Sequence, residues 1–245
     1  MTSYQKNSPE TAKQYISDVL SERLTVCKWV KFFCQRHVND LQHGEERGLY
    51  FDETAGERIL RFFDFLRHST GEFAGQRFIL SAWQQAYLWV LFGWKKCETG
   101  YRRFRTSYLE ISRKNGKSTL SAGVALYLLE CDGEQGAQVY SAATKRDQAK
   151  LVHGEAVRMV RASKALSSRI TLRADNMFDL KTNSKFEPLS SDYNSLDGLN
   201  IHGAIIDELH AHKTRDLWDV LETATGARRQ PMLFAITTAG VKCKV

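Results

Sequence analysis

The spacing of apolar residues divides the chain into two parts. Residues 9–42 and 52–67 carry apolar side chains three and four positions apart, which predicts amphipathic helices. Ser8-Pro9-Glu10 opens the first helix with a capping serine, a proline suited to the first turn and an acid that favours the helix dipole. This front part, residues 1–75, is predicted to be a helical lead-in or lid.

From about Phe78 onward, short apolar runs alternate with helical patterns. Strand–helix alternation with apolar strands predicts a parallel sheet covered by helices on both faces. Residues 76–245 are therefore predicted to form an α/β core. The predicted helices cover 81–94, 117–130, 145–162 (capped by Thr144) and 214–225, and the predicted strands end at Ile111 or cover 138–141, 169–173, 184–189, 203–206 and 232–237.

Composition and charge narrow the class of protein without fixing a function. The 35 Lys+Arg and 28 Asp+Glu residues give a net charge of +7, a mild basic balance that is compatible with nucleic-acid partners. No apolar run is long enough to span a bilayer, and the polar N-terminus lacks the apolar core of a signal peptide. The five cysteines form no Cys-x-x-Cys pair and are expected to be free thiols in a reducing cytoplasm.

The segment 104–122 carries the clearest chemical signal. It reads as a strand, a basic loop at 112–115, the tripeptide Gly116-Lys117-Ser118 and a helix. Amide groups at a helix N-terminus bind anions, and glycine lets the backbone approach a phosphate closely. In such a P-loop, the lysine reaches the β- and γ-phosphates and the serine hydroxyl ligates Mg²⁺. The usual pattern has an earlier glycine where this chain has Ile111, so the tripeptide needs support from elsewhere in the sequence.

Asp207-Glu208 provide that support, because they follow the apolar run 204–206. In a parallel sheet this strand end and the P-loop lie at the same edge, where ligands gather. Asp207 would position Mg²⁺ through its water shell, and Glu208 would polarise the water that attacks the γ-phosphate. Two alternatives are a helix-capping pair and, with His210 and His212, a zinc cluster that lacks an evident third or fourth ligand.

Two weaker signals agree with a nucleotide site. Gln84 offers an amide suited to the N6/N7 edge of adenine. Thr237-Thr238-Ala239-Gly240 ends an apolar strand and places two hydroxyls where they could sense the γ-phosphate. Each feature also fits a plain structural role, as a helix start and as a strand-terminating turn.

Together these segments resemble the large terminase subunit of tailed bacteriophages, specifically its N-terminal packaging ATPase of the HK97-like kind. In that family the missing first glycine is normal, because the loop carries a basic residue there. The segments that carry the resemblance are FILSAWQ (78–84), RKNGKST (113–119), YSAATKRDQAK (140–150), LDGLNIHGAIIDELHAH (196–212), LWDVLETATGARRQP (217–231) and ITTAG (236–240).

The resemblance implies a P-loop NTPase fold of the ASCE or RecA-like kind, with ATP and Mg²⁺ as cofactors. It implies that Arg113 reaches the γ-phosphate in cis and that Glu208 is the catalytic carboxylate. In relatives, an arginine finger can also be supplied in trans by the neighbouring subunit. Arg146, Arg228 and Arg229 are unranked candidates for that role. The remaining implied roles are adenine contact for Gln84, nucleotide binding for Lys114, Asn115, Gly116, Lys117, Ser118 and Thr119, metal binding for Ser118 and Asp207, and coupling for Thr237, Thr238 and Gly240.

The resemblance also implies partners and a cellular setting. Terminases of this kind move double-stranded DNA into a procapsid as a homo-oligomeric ring on the phage portal protein, guided by a small terminase subunit. The expected location is the cytoplasm of a bacterial host, with no membrane contact. Full-length relatives continue into a nuclease domain, which this sequence does not include, so nuclease activity is not expected from it.

Three other functions remain open from the sequence. A helicase-like, DNA-stimulated ATPase would also use an Asp-Glu-x-His box at 207–210, and strand separation without a portal would favour it. A truncated prophage remnant would bind ATP with little turnover. A small-molecule kinase would need an acceptor pocket, for which residues 145–200 give no sign.

Overall fold

The computed structural model describes residues 6–189 and 198–238. Packing divides the chain into two compact units. Met1–Phe65 and Arg77–Phe104 form the helical unit, and Leu66–Gln76 and Arg105–Val245 form the sheet unit. Residues 77–104 therefore pack with the N-terminal helices. The division into a helical segment (1–75) and an α/β core (76–245) stays a prediction.

Side-chain caps and apolar faces account for the helical unit. Ser8 and Asp52 each accept a hydrogen bond from the backbone N–H three residues further on, which fixes the start of a helix. The backbone N–H of Ser81 donates to Oε1 of Gln84 at 2.9 Å, as in a capping box. The elements are α1 (Pro9–Leu20), α2 (Lys28–His43), β1 (Leu49–Phe51), α3 (Glu53–Phe63), α4 (Ala82–Gly93) and β2 (Trp94–Lys96), with β1 antiparallel to β2.

Helix α4 is the buried centre of the helical unit. Most of its residues are apolar and buried, and α1 and α3 pack against it. Gln85 is fully buried on α4; its Nε2 donates to the Leu80 carbonyl at 2.8 Å and its Oε1 accepts from the Ser8 amide at 2.9 Å. A buried amide of this kind fixes the register of α1 against α4, because both of its ends need partners.

The prediction of a single helix over 9–42 is wrong. Helix α1 ends where the Ser21 amide bonds the Ser17 carbonyl, and Glu22 then adopts the left-handed conformation with φ 61°. Trp29, an apolar residue inside that predicted helix, is 68% exposed. The apolar spacing continues across the break between α1 and α2, so periodicity alone does not reveal the left-handed residue that separates them.

The sheet unit is built around a seven-stranded sheet with the order β3-β9-β8-β4-β7-β6-β5. The pairs from β3 to β7 are parallel, and β6 and β5 add antiparallel pairs at one side. The elements are β3 (Thr106–Glu110), α5 (Lys117–Glu130), β4 (Gln138–Ala142), α6 (Arg146–Ala162), α7 (Lys164–Ser167), β5 (Ile170–Leu172), β6 (Met177–Asp179), β7 (Ser184–Pro188), β8 (Ile201–Asp207), α8 (Asp216–Thr223) and β9 (Met232–Thr237).

Helices cover both faces of this sheet, as predicted. Gly203 on β8 faces Leu128 of α5, whereas its neighbour Ala204 belongs to the cluster that includes Leu217 and Leu221 of α8. Successive residues of a strand point to opposite faces, so both faces of β8 are covered. Every residue of β8 and β9 is buried, which explains the apolar runs 203–206 and 232–236 within them.

Several predicted boundaries in the sheet unit need correction. Helix α6 starts after Lys145, and Thr144 uses its hydroxyl to bond Oε1 of Gln148 at 3.0 Å instead of capping the helix. Helices α3 and α8 are shorter than predicted, while α5 and β9 have the predicted bounds. Strand β6 and helix α7 were not predicted, because segments this short show too few periods of an apolar pattern.

Candidate nucleotide site

Three strand ends meet at the carboxyl edge of the sheet. Strand β9 lies between β3 and β8, and the register pairs Glu110 with Thr237 and Asp207 with Ile236. Three segments therefore lie at the same height along the sheet: the P-loop that follows β3, the acidic pair at the end of β8 and the threonines at the end of β9. This edge is where parallel sheets gather ligands.

The P-loop turns sharply into helix α5. Lys114 and Gly116 both have left-handed backbones, with φ of 65° and 71°. The amide Nδ2 of Asn115 donates to Oγ of Ser112 at 2.6 Å and to its carbonyl at 3.2 Å, so the loop is braced from within. The N-cap residue of α5 is Gly116, which has no side chain to cap the helix, so the first amides of α5 can bind an anion.

Lys117 joins the P-loop to both acids. Its Nζ lies 2.9 Å from Oδ1 of Asp207 and also contacts Oε1 of Glu208. The side chains of Lys117 and Asp207 are mostly buried, at 13% and 6% exposed. Asp207 accepts a further hydrogen bond from the Glu208 amide at 3.0 Å. The basic and acidic motifs thus form one contiguous cluster.

Glu208 sits at the centre of this cluster in a strained conformation. Its φ of 50° is unusual for a residue other than glycine. Burial raises the pKa of its carboxyl, but the hydrogen bond and charge of Lys117 outweigh burial and hold the pKa below its ordinary value. Glu208 is therefore ionised at neutral pH, as a general base must be.

The end of β9 contacts the same carboxylate. Oγ1 of Thr238 donates to Oε2 of Glu208 at 3.3 Å. Nδ1 of His210 lies 2.6 Å from Oγ1 of Thr237 and 3.3 Å from Oε2 of Glu208. The sequence placed the threonines at a strand end near the site, but it gave no sign that they share one carboxylate with His210.

The donors in this cluster fit a nucleotide with Mg²⁺ better than zinc. Uncapped helix amides, a lysine and hydroxyl and carboxylate oxygens suit phosphates and a hard cation that keeps most of its waters. In residues 6–189 and 198–238, no three His, Cys, Asp or Glu side chains are grouped to hold a metal. Within these residues, His210 and His212 are thus not part of such a group, and the zinc alternative has no further support here.

The contacts described above do not include the other predicted site residues. Arg113 is exposed, and its guanidinium makes no ion pair within the described residues. Ser118 and Thr119 lie in the first turn of α5. Gln84 belongs to the helical unit, where its carbonyl oxygen accepts from Ser81, and Gly240 falls outside the described residues. The adenine role of Gln84 and the roles of these residues stay predictions.

Of the three arginines considered as trans arginine fingers, Arg228 makes several hydrogen bonds within the chain. Its guanidinium donates to the Asn200 and Gly136 carbonyls and to Oε1 of Glu134 at 2.9 Å. These bonds make it a structural connection between the loops before β4 and β9. Arg146 and Arg229 are exposed and remain candidates.

Comparison with known proteins places these motifs in a family. Residues 82–244 match the family model described as the terminase large subunit, ATPase domain. The chain belongs to this terminase ATPase family. The ASCE-type P-loop fold that the resemblance implied is thereby confirmed, with its mostly parallel sheet flanked by helices.

Individual proteins and solved structures are also similar to this terminase ATPase domain. The large terminase subunit of Enterobacteria phage HK97 is 31% identical over 191 residues, which cover 76% of this chain and 37% of the relative. The crystal structure of the HK97 large terminase superposes with a TM-score of 0.63 and 28% identity, covering 74% of this chain and 37% of that one. Protein YmfN of Escherichia coli K12 is 52% identical over 44 residues, 18% of this chain and 10% of YmfN. The chain thus spans little more than a third of the HK97 protein.

Two further sequence expectations concern cysteines and membranes. Among the described residues, Cys27, Cys34, Cys97 and Cys131 form no disulfide, and Cys243 lies outside the described residues. Among the helices of residues 6–189 and 198–238, none combines the length and apolar character needed to cross a membrane.

Proposed function

We propose that this terminase ATPase domain binds ATP with Mg²⁺ at the carboxyl edge of its sheet and hydrolyses it to drive DNA packaging. One observation carries the proposal: the P-loop lysine Lys117 contacts both acids of the pair Asp207-Glu208. These are the groups that phosphoryl transfer requires, and membership of the ATPase family supports the same chemistry.

Phosphate binding falls to the P-loop. The uncapped amides of α5 and the left-handed Gly116 form a cradle that favours an anion. Lys117 is held ready by two carboxylates, and phosphate oxygens would compete with them for its ammonium group. Lys114, Asn115 and Thr119 complete the proposed nucleotide-binding set, and Gln84 would contact adenine.

In this proposal, Ser118 and Asp207 bind the metal. A bound Mg²⁺ would polarise phosphate oxygens and neutralise part of their charge. Asp207 suits this role because its carboxylate is fixed by the Glu208 amide and by Lys117. Ser118 lies in the first turn of α5, next to the lysine that serves the phosphates.

In this proposal, Glu208 and Arg113 are the catalytic residues. Glu208 is ionised at neutral pH, so it can orient a water molecule and accept its proton. Arg113, on the exposed P-loop, would reach the γ-phosphate in cis and stabilise the charge that develops during transfer.

Thr237, Thr238 and Gly240 would couple hydrolysis to movement of double-stranded DNA. The contact of Thr238 with Glu208 supports this role, since it connects the catalytic carboxylate to the neighbouring strand. The net charge of +7 is compatible with a DNA partner. The phage portal protein, the small terminase subunit and a homo-oligomeric ring in the host cytoplasm complete the proposed setting.

The test of this function compares Glu208→Gln with a matched control. Glu187 is also a half-buried carboxylate paired with a lysine, at 2.7 Å from Lys185. Glu208→Gln should keep ATP binding, measured with a fluorescent ATP analogue, and lower Mg²⁺-dependent phosphate release by about 10²-fold or more. Glu187→Gln should change neither quantity.

Other outcomes would favour other functions. Equal hydrolysis by wild type and Glu208→Gln would refute the assignment of the catalytic carboxylate. ATP binding with no turnover, even with double-stranded DNA added, would favour a prophage remnant. Strand separation on a forked duplex, without a portal, would favour a helicase.

A further inference from the structure

His210 connects the catalytic carboxylate to the end of β9 through a single ring nitrogen. Nδ1 lies 2.6 Å from Oγ1 of Thr237 and 3.3 Å from Oε2 of Glu208. The backbone N–H of His210 also donates to Oγ1 of Thr237, at 3.2 Å. Thr237 is 1% exposed, so its hydroxyl depends on protein partners.

The hydrogen bonds of Thr237 bear on where the proton of His210 lies. A threonine hydroxyl has one hydrogen to donate, and the Thr238 carbonyl, which can only accept, lies 3.2 Å from Oγ1 of Thr237. A hydroxyl hydrogen directed at that carbonyl leaves Oγ1 as an acceptor towards Nδ1 of His210. Oε2 of Glu208 accepts from Thr238, and the other oxygen of that carboxylate contacts Lys117, so Oε2 is an acceptor as well. A hydrogen on Nδ1 therefore suits both of its neighbours.

We propose that His210 is a positioning residue that carries its proton on Nδ1 and joins Glu208 to the end of β9. The hydrogen-bonding part of this inference stands on the geometry of His210, Thr237 and Glu208. Its effect on hydrolysis rests on the proposed ATPase function.

The two carboxylate oxygens of Glu208 therefore have different partners. Oε1 contacts Lys117, whereas Oε2 accepts a hydrogen bond from Thr238 and lies next to His210. A ligand that draws Lys117 away frees Oε1 and leaves Oε2 attached to β9. Any shift of the carboxylate is then passed to Thr237 and Thr238, and His210 keeps the carboxylate aligned for its water.

The protonation of Nδ1 can be measured without nucleotide. The full chain, labelled with ¹⁵N-histidine, contains seven histidines, and the His210 signals are identified by their loss in His210→Asn. At neutral pH, Nδ1 should show the chemical shift of a protonated nitrogen. In Thr237→Val, which removes the hydroxyl with little change of shape, the Nδ1 signal should shift. An unprotonated Nδ1 in the wild type would refute the proposal.

The positioning role is tested by three substitutions that differ in geometry. Asparagine can place an amide N–H near the position of Nδ1, whereas glutamine reaches the position of Nε2 and alanine reaches neither. His210→Ala and His210→Gln should lower kcat by roughly ten- to a hundredfold, with ATP affinity unchanged. His210→Asn should retain most of the wild-type kcat.

These kinetics separate positioning from general structure. Equal loss in all three variants, with lowered melting temperature, would assign His210 to stability alone. Wild-type kcat in all three variants would exclude the positioning role. If the wild-type chain hydrolyses no ATP, the proposed function fails and the ¹⁵N measurement alone decides the hydrogen bond.

Discussion

Nζ of Lys117 lies 2.9 Å from Oδ1 of Asp207, and the pair is mostly buried. Glu208 contacts the same ammonium group. One cation therefore neutralises two adjacent carboxylates at the edge of the sheet. Lys117 has a structural task as well as a proposed ligand-binding task, and a substitution of Lys117 affects both.

Replacing Lys117 with methionine should weaken ATP binding and lower stability together. The two carboxylates lose their counter-ion, and breaking such a partly buried pair costs roughly 1–3 kcal/mol. The free energy of unfolding at pH 7 is measured by urea titration, and ATP affinity by equilibrium binding.

The double variant Lys117→Met with Asp207→Asn separates these two effects. Removing one of the two negative charges should recover part of the lost stability, whereas ATP binding should stay weak. Recovery of ATP binding in the double variant would contradict the role of Lys117 as a phosphate ligand.

Arg113 should matter for turnover and not for folding. It is exposed and makes no ion pair within the described residues, so Arg113→Ala should leave the free energy of unfolding within about 0.5 kcal/mol of wild type. If the guanidinium stabilises the transferred phosphoryl group, phosphate release should fall by about 10³-fold. Arg161→Ala, an exposed arginine near the end of α6, is the control. Equal turnover in both variants would argue against a cis arginine.

Long elements and the site motifs were predictable because their signals are local. Helix α5 is apolar on nearly every side and β9 is a continuous apolar run, and both have the predicted bounds. The break after α1 was not predictable in the same way. It depends on one left-handed residue, Glu22, inside a pattern whose apolar spacing continues.

The sequence predicted the motifs of the site, but it did not predict the contacts between their side chains. The sequence indicates that Lys117 and Asp207-Glu208 lie at strand ends, since both follow apolar runs. It does not give the strand order that inserts β9 between them, because pairing of distant strands depends on the whole sheet. The bond between His210 and Thr237 follows from that order, so only the structure reveals it.

The buried pair Glu130 and Asp179 should make stability depend on pH. Burial raises the pKa of Glu130 to about 7, helped by the hydrogen bond and charge of Asp179 and opposed by Arg169 and Lys181. Burial also raises the pKa of Asp179, but hydrogen bonds led by that from Thr182 outweigh it and lower the pKa. Glu130 is thus the member of the pair that keeps its proton.

A folded-state pKa above the unfolded value means that stability is lost as pH rises. The contribution of protonated Glu130 is complete below its ordinary pKa of 4.5 and declines through about pH 7. Glu130→Gln, which cannot ionise, should therefore gain stability relative to wild type between pH 5 and pH 8, by up to about 3 kcal/mol. Urea unfolding at both pH values measures the gain, and a difference that stays constant with pH would contradict the assignment.

The contact between α5 and β8 should depend on the absence of a side chain at Gly203. A Cβ there would lie 2.8 Å from Cδ1 of Leu128 and 3.4 Å from Cγ1 of Val139, both in the core. Gly203→Ala should therefore lower the free energy of unfolding by about 1–3 kcal/mol. Gly154→Ala on α6 is the matched control, because its nearest neighbour is the flexible end of Arg158 at 3.7 Å. That variant should gain about 0.4–1 kcal/mol, since alanine favours a helix. A Gly203→Ala variant at least as stable as wild type by urea unfolding would show that packing of α5 on β8 does not require the glycine.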